Sequence, residues 1–214
     1  MNKKLEKYIE KNILPKYNSN KIDKGHRQDH IKYVIRRSLK FAKEIHLPLD
    51  DNMIYTIAAY HDIGLSKVDR DIHEKESAKI LLNDKELKNY FTEDQIKIMA
   101  EAIEDHRASL KREPRSIYGK IVSQADRDTD PVHFIERSYF YTKKHFDVKD
   151  EKTLIKEIRR HINEKYGEHG YALNKIWFPD NEFQKFKNTL QNMSDDEIKE
   201  IIIKIKNESG VIEW

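Results

Sequence analysis

Apolar residues recur at intervals of three and four along nearly the whole chain, and no stretch alternates with the period of two that a strand face requires. The pattern predicts an all-α protein. An amphipathic helix over 2–14 stops near Pro15, and a second from about 28 to 45 ends before Pro48. Asp50 and Asp51 are N-cap candidates for a third, whose stripe is Met53, Ile54, Ile57 and Ala58 and whose end is marked by Gly64. A fourth helix is expected over 72–82, and Thr92 with Gln95 forms a capping-box pair opening a fifth over 93–109. Further helices are expected at 116–126, 132–146, 150–166 and 180–191, and Ser194 with Glu197 caps a last one running to about 207. There is no internal repeat. The chain reads as one helical bundle: an N-terminal helix within 1–25 packed on a core of 26–146, then a more charged helical extension of the same domain over 147–214.

Composition narrows the function classes. The 214 residues suffice to bury a core, and only 6 glycines and 5 prolines interrupt the helical pattern. The formal charge of +3 is spread evenly, with no basic stripe or interleaved aromatic platform, so nucleic-acid binding is not expected. With no cysteine, disulfides and thiolate zinc sites are excluded, and a transition metal here must take histidine and carboxylate ligands. The first residues lack the apolar run of a secretory signal and no stretch is long enough to span a membrane, which makes the cytoplasm the expected location.

The candidate chemistry comes from polar residues on apolar stripes. His61 continues the stripe of Ile54, Ile57 and Ala58, and Asp62 follows it directly. His30 stands one turn before Val34, His73 ahead of Ser77, Ile80 and Leu81, His106 after Met99 and Ile103, and Asp126 four residues after Val122. A single inward histidine is more often a hydrogen-bonded core residue, and a single aspartate a helix cap. Several together are costly to bury unless something charged compensates them, and a divalent cation held between helices would do so.

In that order His30, the tetrad His61-Asp62-Ile63-Gly64 and Asp126 resemble the H…HD…D signature of the HD superfamily of metal-dependent phosphohydrolases. The contexts DHIKYV, AAYHDIG and QADRD are similar to that family, over roughly residues 26–130. The resemblance implies an HD-domain helical bundle in which His30, His61, Asp62 and Asp126 bind a divalent metal. A subset of the family adds two histidines and holds two metals bridged by the doublet aspartate. His73 and His106 occupy those places here, although the spacing from Asp62 to His73 is short. The implied cofactor is one or two ions of Mn, Fe, Ni, Co, Zn or Mg. The implied reaction is attack of a metal-activated water on a small phosphate ester, for instance a nucleotide. Asp62 would bridge and also orient the water.

Basic residues beside these positions are candidates for contacting phosphate. Lys67 and Arg107 lead, and Arg70 and Arg127 follow, with surface charge or a salt bridge as the plainer account of each. His26 and Asp29 could support His30, Asp29 more simply as an N-cap. His46, His133, His145, His161 and His169 read as ordinary. Tyr139, Phe140 and Tyr141, and the group Trp177-Phe178-Pro179, suit a core better than a pocket wall, and YGEHGYALN reads as a turn. Two other functions fit the same residues: a di-iron oxygenase using all six ligands, and a catalytically silent metal- or nucleotide-binding regulatory module. The substrate is not legible, and a homodimer is allowed.

Overall fold

The computed structural model describes residues 1–22, 26–173 and 176–209. Residues 23–25 at the end of the expected N-terminal segment, Asn174 at the end of YGEHGYALN, and 210–214 of the expected extension lie outside them. Among the described residues there are ten α-helices, joined in places by short 3-10 turns, and no strand. No helix among them is long and apolar enough to cross a membrane.

The chain divides into two compact units, Met1–Asp126 and the part from Arg127 on. In the first, α1 (Lys3–Asn12) is capped by the Asn2 side chain and buries Leu5 and Ile9. The sequence of α3 (Asp51–Tyr60) is apolar on every side after its first turn, and every residue from Met53 to Tyr60 is buried. A helix with no polar face belongs in the middle of a bundle. Around it pack α2 (Gln28–Glu44), α5 (Glu93–Glu104) and α6 (Ile117–Ala125), while α4 (His73–Leu82) lies against α5 and the 3-10 turn Ile63–Ser66. The Thr92–Gln95 capping box that opens α5 is present in full. Two helices end earlier than expected. The α-helix of α3 stops at Tyr60, and α5 stops at Glu104 rather than 109. Asp29 lies within the first turn of α2, whose N-cap is Arg27, so its expected capping role is corrected.

The second unit holds α7 (Pro131–His145), α8 (Glu151–Tyr166), α9 (Asn181–Asn192) and α10 (Asp195–Ser209). Phe134, Ile135 and Tyr139 of α7 share a buried core with Ile158 and Tyr166 of α8, Phe183 and Phe186 of α9, and Ile202 of α10. This corrects the expected boundary at 146 and the description of the later residues as an extension: α7 buries its stripe with the helices that follow it. Their charged outer faces conceal a core that only packing reveals. Tyr139 is a core residue and Tyr141 is exposed. The described part of the YGEHGYALN stretch, to residue 173, folds back on the end of α8, with the Tyr171 and Ala172 amides donating to Glu164 and Lys165 carbonyls. The Ser194–Glu197 capping pair opens α10 as expected.

One backbone position departs from ordinary geometry. His46, just past the end of α2, has φ 55, a left-handed conformation that glycine and asparagine adopt at lower cost. His46 is exposed. His46→Asn is therefore expected to stabilise the protein by about 0.5–1 kcal/mol, measurable as a rise in Tm of roughly 2–3 °C.

Candidate metal centre

The elements deliver six polar side chains to one place, and they do so from helix ends rather than helix faces. His61 is the C-cap of α3, Asp126 the C-cap of α6, and His106 follows Asp105, the C-cap of α5. His73 is the first residue of α4, and His30 lies in the first turn of α2. The sequence places them on inward faces. The structure moves them to the ends, where backbone carbonyls of the last turn lack helical partners. Those carbonyls have a use: His61 Nδ1 donates to Ala58 O at 2.8 Å and His106 Nδ1 to Ile103 O at 2.6 Å. His73 Nδ1 similarly donates to Arg70 O at 2.6 Å. Each bond fixes the tautomer and ring orientation and leaves the Nε2 lone pair directed at the cluster, the arrangement metal-ligating imidazoles use.

The Nε2 atoms and carboxylate oxygens form two sets that share Asp62. In the first, His30 Nε2 is 3.0 Å from Asp126 Oδ1, and His61 Nε2 is 3.3 Å from Asp62 Oδ2 and 3.5 Å from Asp126 Oδ1. In the second, Asp62 Oδ1 lies 2.9 Å from His73 Nε2 and 3.4 Å from His106 Nε2, and the two nitrogens are 3.2 Å apart. Within each set the ligand atoms all lie within 4.8 Å of one another. Atoms about 2.1 Å from a common ion would be separated by about 3.0 Å at octahedral angles and about 3.4 Å at tetrahedral ones. The spacings just given lie within about 0.1 Å of that range, and the His30 Nε2 to Asp62 Oδ2 distance of 3.9 Å is wider. His61 Nε2 is buried without a well-formed hydrogen bond, its neighbours being the Asp62 and Asp126 carboxylates, a costly arrangement unless it carries a proton or ligates. The residues thus fit a divalent metal: both sets could hold one.

Charge agrees with geometry. Burial acts to lower the His61 pKa, and the Asp62 and Asp126 carboxylates raise it by more, so that it stands well above the ordinary histidine value. Burial pushes Asp62 up, while His61, His106 and His73 pull it well below the usual carboxylate range. Asp126 is shifted down likewise, burial again opposing and His30 and His61 prevailing. The cluster is sealed unevenly: the side chains of His30, His61, Asp62, His73 and His106 are buried, whereas that of Asp126 is partly exposed.

Supporting contacts include several that single-sequence reasoning missed. Gly64 donates its amide to Ser77 Oγ at 2.8 Å, and a Cβ at Gly64 would lie 2.3 Å from His73 O. The glycine after the doublet thus lets this turn abut the start of α4. Buried Tyr17 donates to Ala59 O at 2.9 Å, and Tyr60 and Tyr8 both donate to Asp84 Oδ2, at 2.5 and 2.7 Å. The partners of Asp84 lie 24 and 76 positions away. His26 is buried with its ring edge-on to His30, at 5.6 Å between centroids.

Two of the four phosphate candidates, Lys67 and Arg107, are found in ion pairs. Lys67 is mostly exposed and pairs with Glu76 at 3.5 Å. Arg107 Nη1 donates to Asp71 O at 2.9 Å and Glu74 Oε2 at 3.2 Å, holding the segment that leads into His73. Arg70 is exposed. Arg127 belongs to the second unit, where it donates to Ala172 O at 2.6 Å and lies over the Phe183 ring. There His133 Nδ1 also meets Asp128 Oδ1 at 3.0 Å, and His161 meets Ser138 Oγ at 3.1 Å.

No curated protein and no solved structure matches the chain significantly. Residues 27–129, a span that includes all six clustered side chains, match the family model of the HD domain. Through that segment, with its ordered His30, His61-Asp62 and Asp126, the chain belongs to the HD-domain superfamily.

Proposed function

We propose that this protein is a metal-dependent phosphohydrolase whose two donor sets, sharing Asp62, would hold two divalent ions, and that it hydrolyses a small phosphate ester such as a nucleotide. The observation that carries the reading is the division of one buried carboxylate between two donor sets that each contain two imidazoles. HD domains are typical of metal-dependent hydrolases, although some members do not catalyse. Imidazole-rich ligation favours Mn, Fe, Co, Ni or Zn over Mg.

When bound, the ions supply an acidified water and neutralise phosphoryl oxygens as charge develops on them. The chain's own residues do the rest. The Nδ1–carbonyl bonds hold three imidazoles in the ligating tautomer, and Asp62 fixes the spacing of the two sets and orients the water. Asp126, the partly exposed member, marks the side from which water and substrate approach. Arg107 is the better phosphate contact, because a guanidinium can exchange the Glu74 carboxylate for a phosphoryl group with the same fork of donors. Lys67 would have to leave Glu76 and is the weaker candidate.

The test is to load purified protein separately with Mn, Fe, Ni, Co, Zn or Mg and assay a broad panel of phosphate mono- and diesters. Hydrolysis that disappears in a His61→Ala variant supports the reading. No turnover on any member, with the variant behaving identically, overturns it. Tightly bound iron with redox-active spectra would favour oxygen chemistry on the same donors instead. Independently of turnover, adding the preferred ion to chelator-treated protein at a hundred times its Kd should stabilise it by about 2.7 kcal/mol. That corresponds to a Tm rise of roughly 5–10 °C, read by thermal melting.

A further inference from the structure

Immediately before His106 stands Asp105, the C-cap of α5 and completely buried, 0 % exposed. A carboxylate in that position must be met by donors, and it is. The Arg115 amide and Nε donate to Oδ2 at 2.7 and 3.0 Å, and Arg115 Nη2 donates to Oδ1 at 2.9 Å. The Arg112 guanidinium closes on Oδ1 as well. Arg115 also grips the last turn of α5, donating to Glu101 O at 3.0 Å and Glu104 Oε2 at 2.6 Å. The clamp therefore ties the end of α5 to the strip of chain just before α6 and closes the loop that His106 begins.

His106 needs such a clamp because little else sets its backbone. It lies beyond the helix, and its own amide makes only a 3.4 Å bond to Ile103 O. The Nδ1 bond to Ile103 O sets the rotation of the ring, and the turn at Asp105 sets where the backbone that carries the ring stands. An imidazole must be placed to within a few tenths of an ångström to ligate, and groups that orient ligands typically change metal affinity 10- to 100-fold when removed.

We infer that Asp105, held by Arg115 and Arg112, is a positioning residue for His106 and sets the affinity of the donor set formed by Asp62, His73 and His106, leaving the set at His30, His61 and Asp126 unaffected. The inference rests on the reading of the cluster as a two-ion centre. It adds to that reading a separate control over one of the two ions.

The experiment is calorimetric titration of the full chain with Mn²⁺ alone, repeated with Co²⁺ and its visible absorption as a geometric readout, on wild type, Asp105→Asn and Arg112→Ala. Thermal melting accompanies each. The wild type should take up two equivalents. Asp105→Asn should bind the first within about threefold of wild type and the second at least tenfold more weakly, with the absorption of the second cobalt lost. Both equivalents bound by Asp105→Asn with wild-type affinities would overturn the inference and leave the two-ion reading standing. Should Asp105→Asn lose its cooperative melting, Arg112→Ala decides, because Arg112 is half exposed and its loss leaves no buried cavity. A second equivalent weakened threefold or more in that folded variant supports positioning, and an unchanged one overturns it. A wild type that takes up fewer than two equivalents overturns the two-ion reading and this inference with it.

Discussion

Asp62→Ala is expected to abolish uptake of both ions and to lower hydrolysis by about three orders of magnitude or more, since both the acidified water and the charge neutralisation depend on the metal. One oxygen of this carboxylate meets His61 at 3.3 Å and the other meets His73 at 2.9 Å, so its loss damages both donor sets at once. His73→Ala or His106→Ala should instead remove one ion and leave the other. Elemental analysis beside a hydrolysis assay separates these outcomes, and retention of both ions by Asp62→Ala would contradict the bridging role. The chelator-treated protein should show a second signature. There the carboxylate is one of the groups that raise the His61 pKa well above 6.5, against the burial that lowers it. A raised folded-state value contributes stability that is complete below the unfolded value and is lost as pH rises through the folded one. Asp62 stays ionised throughout the neutral range, its own value being depressed. The metal-free Asp62→Ala protein should therefore be destabilised more at pH 6 than at pH 9, which denaturant melts at the two pH values would read.

Gly64→Ala should be nearly as damaging, through backbone packing alone. The added methyl would stand 2.3 Å from His73 O, 2.8 Å from Ser77 N and 2.9 Å from Ser77 Oγ. Two of those three atoms are backbone, so rotating a side chain cannot make room. Either the 3-10 turn after Asp62 or the start of α4 must move, and each carries a member of the cluster. The expected cost is at least about 3 kcal/mol, at the upper end for overpacking because the obstacle is main chain. In a chain of this size that is a fall in Tm of roughly 6–12 °C. Metal affinity should fall as well, because the amide bond from Gly64 to Ser77 Oγ would be strained with the turn. A variant that melts and binds metal as the wild type does would show that this contact is looser than its geometry implies.

The helices of this protein, the nature of its candidate site and the identity of the six clustering side chains were legible in the sequence alone. Periodicity records which side of each helix faces away from water, and histidines and aspartates on that side stand out because burying them needs compensation. The order of His30, His61-Asp62, His73, His106 and Asp126 did the rest, through its resemblance to HD domains. Legibility failed wherever the deciding contact joined residues far apart in the chain. His30 meets Asp126 across 96 positions and His73 meets His106 across 33, so no local pattern could show that one oxygen of Asp62 faces each set. Asp105 falls inside the helix expected over 93–109 until the structure ends that helix at Glu104 and folds Arg112 and Arg115 onto it, and the carboxylate that Arg107 meets, Glu74, lies 33 positions away. The boundary ahead of α7 was hidden for the same reason, since a stripe of apolar residues does not say which neighbours will cover it. Sequence by itself determined which six polar residues stand on apolar stripes and in what order they come. Only the tertiary structure decided how far apart their atoms stand and what holds each in place, because those distances are set by the packing of helices that are not neighbours in the chain.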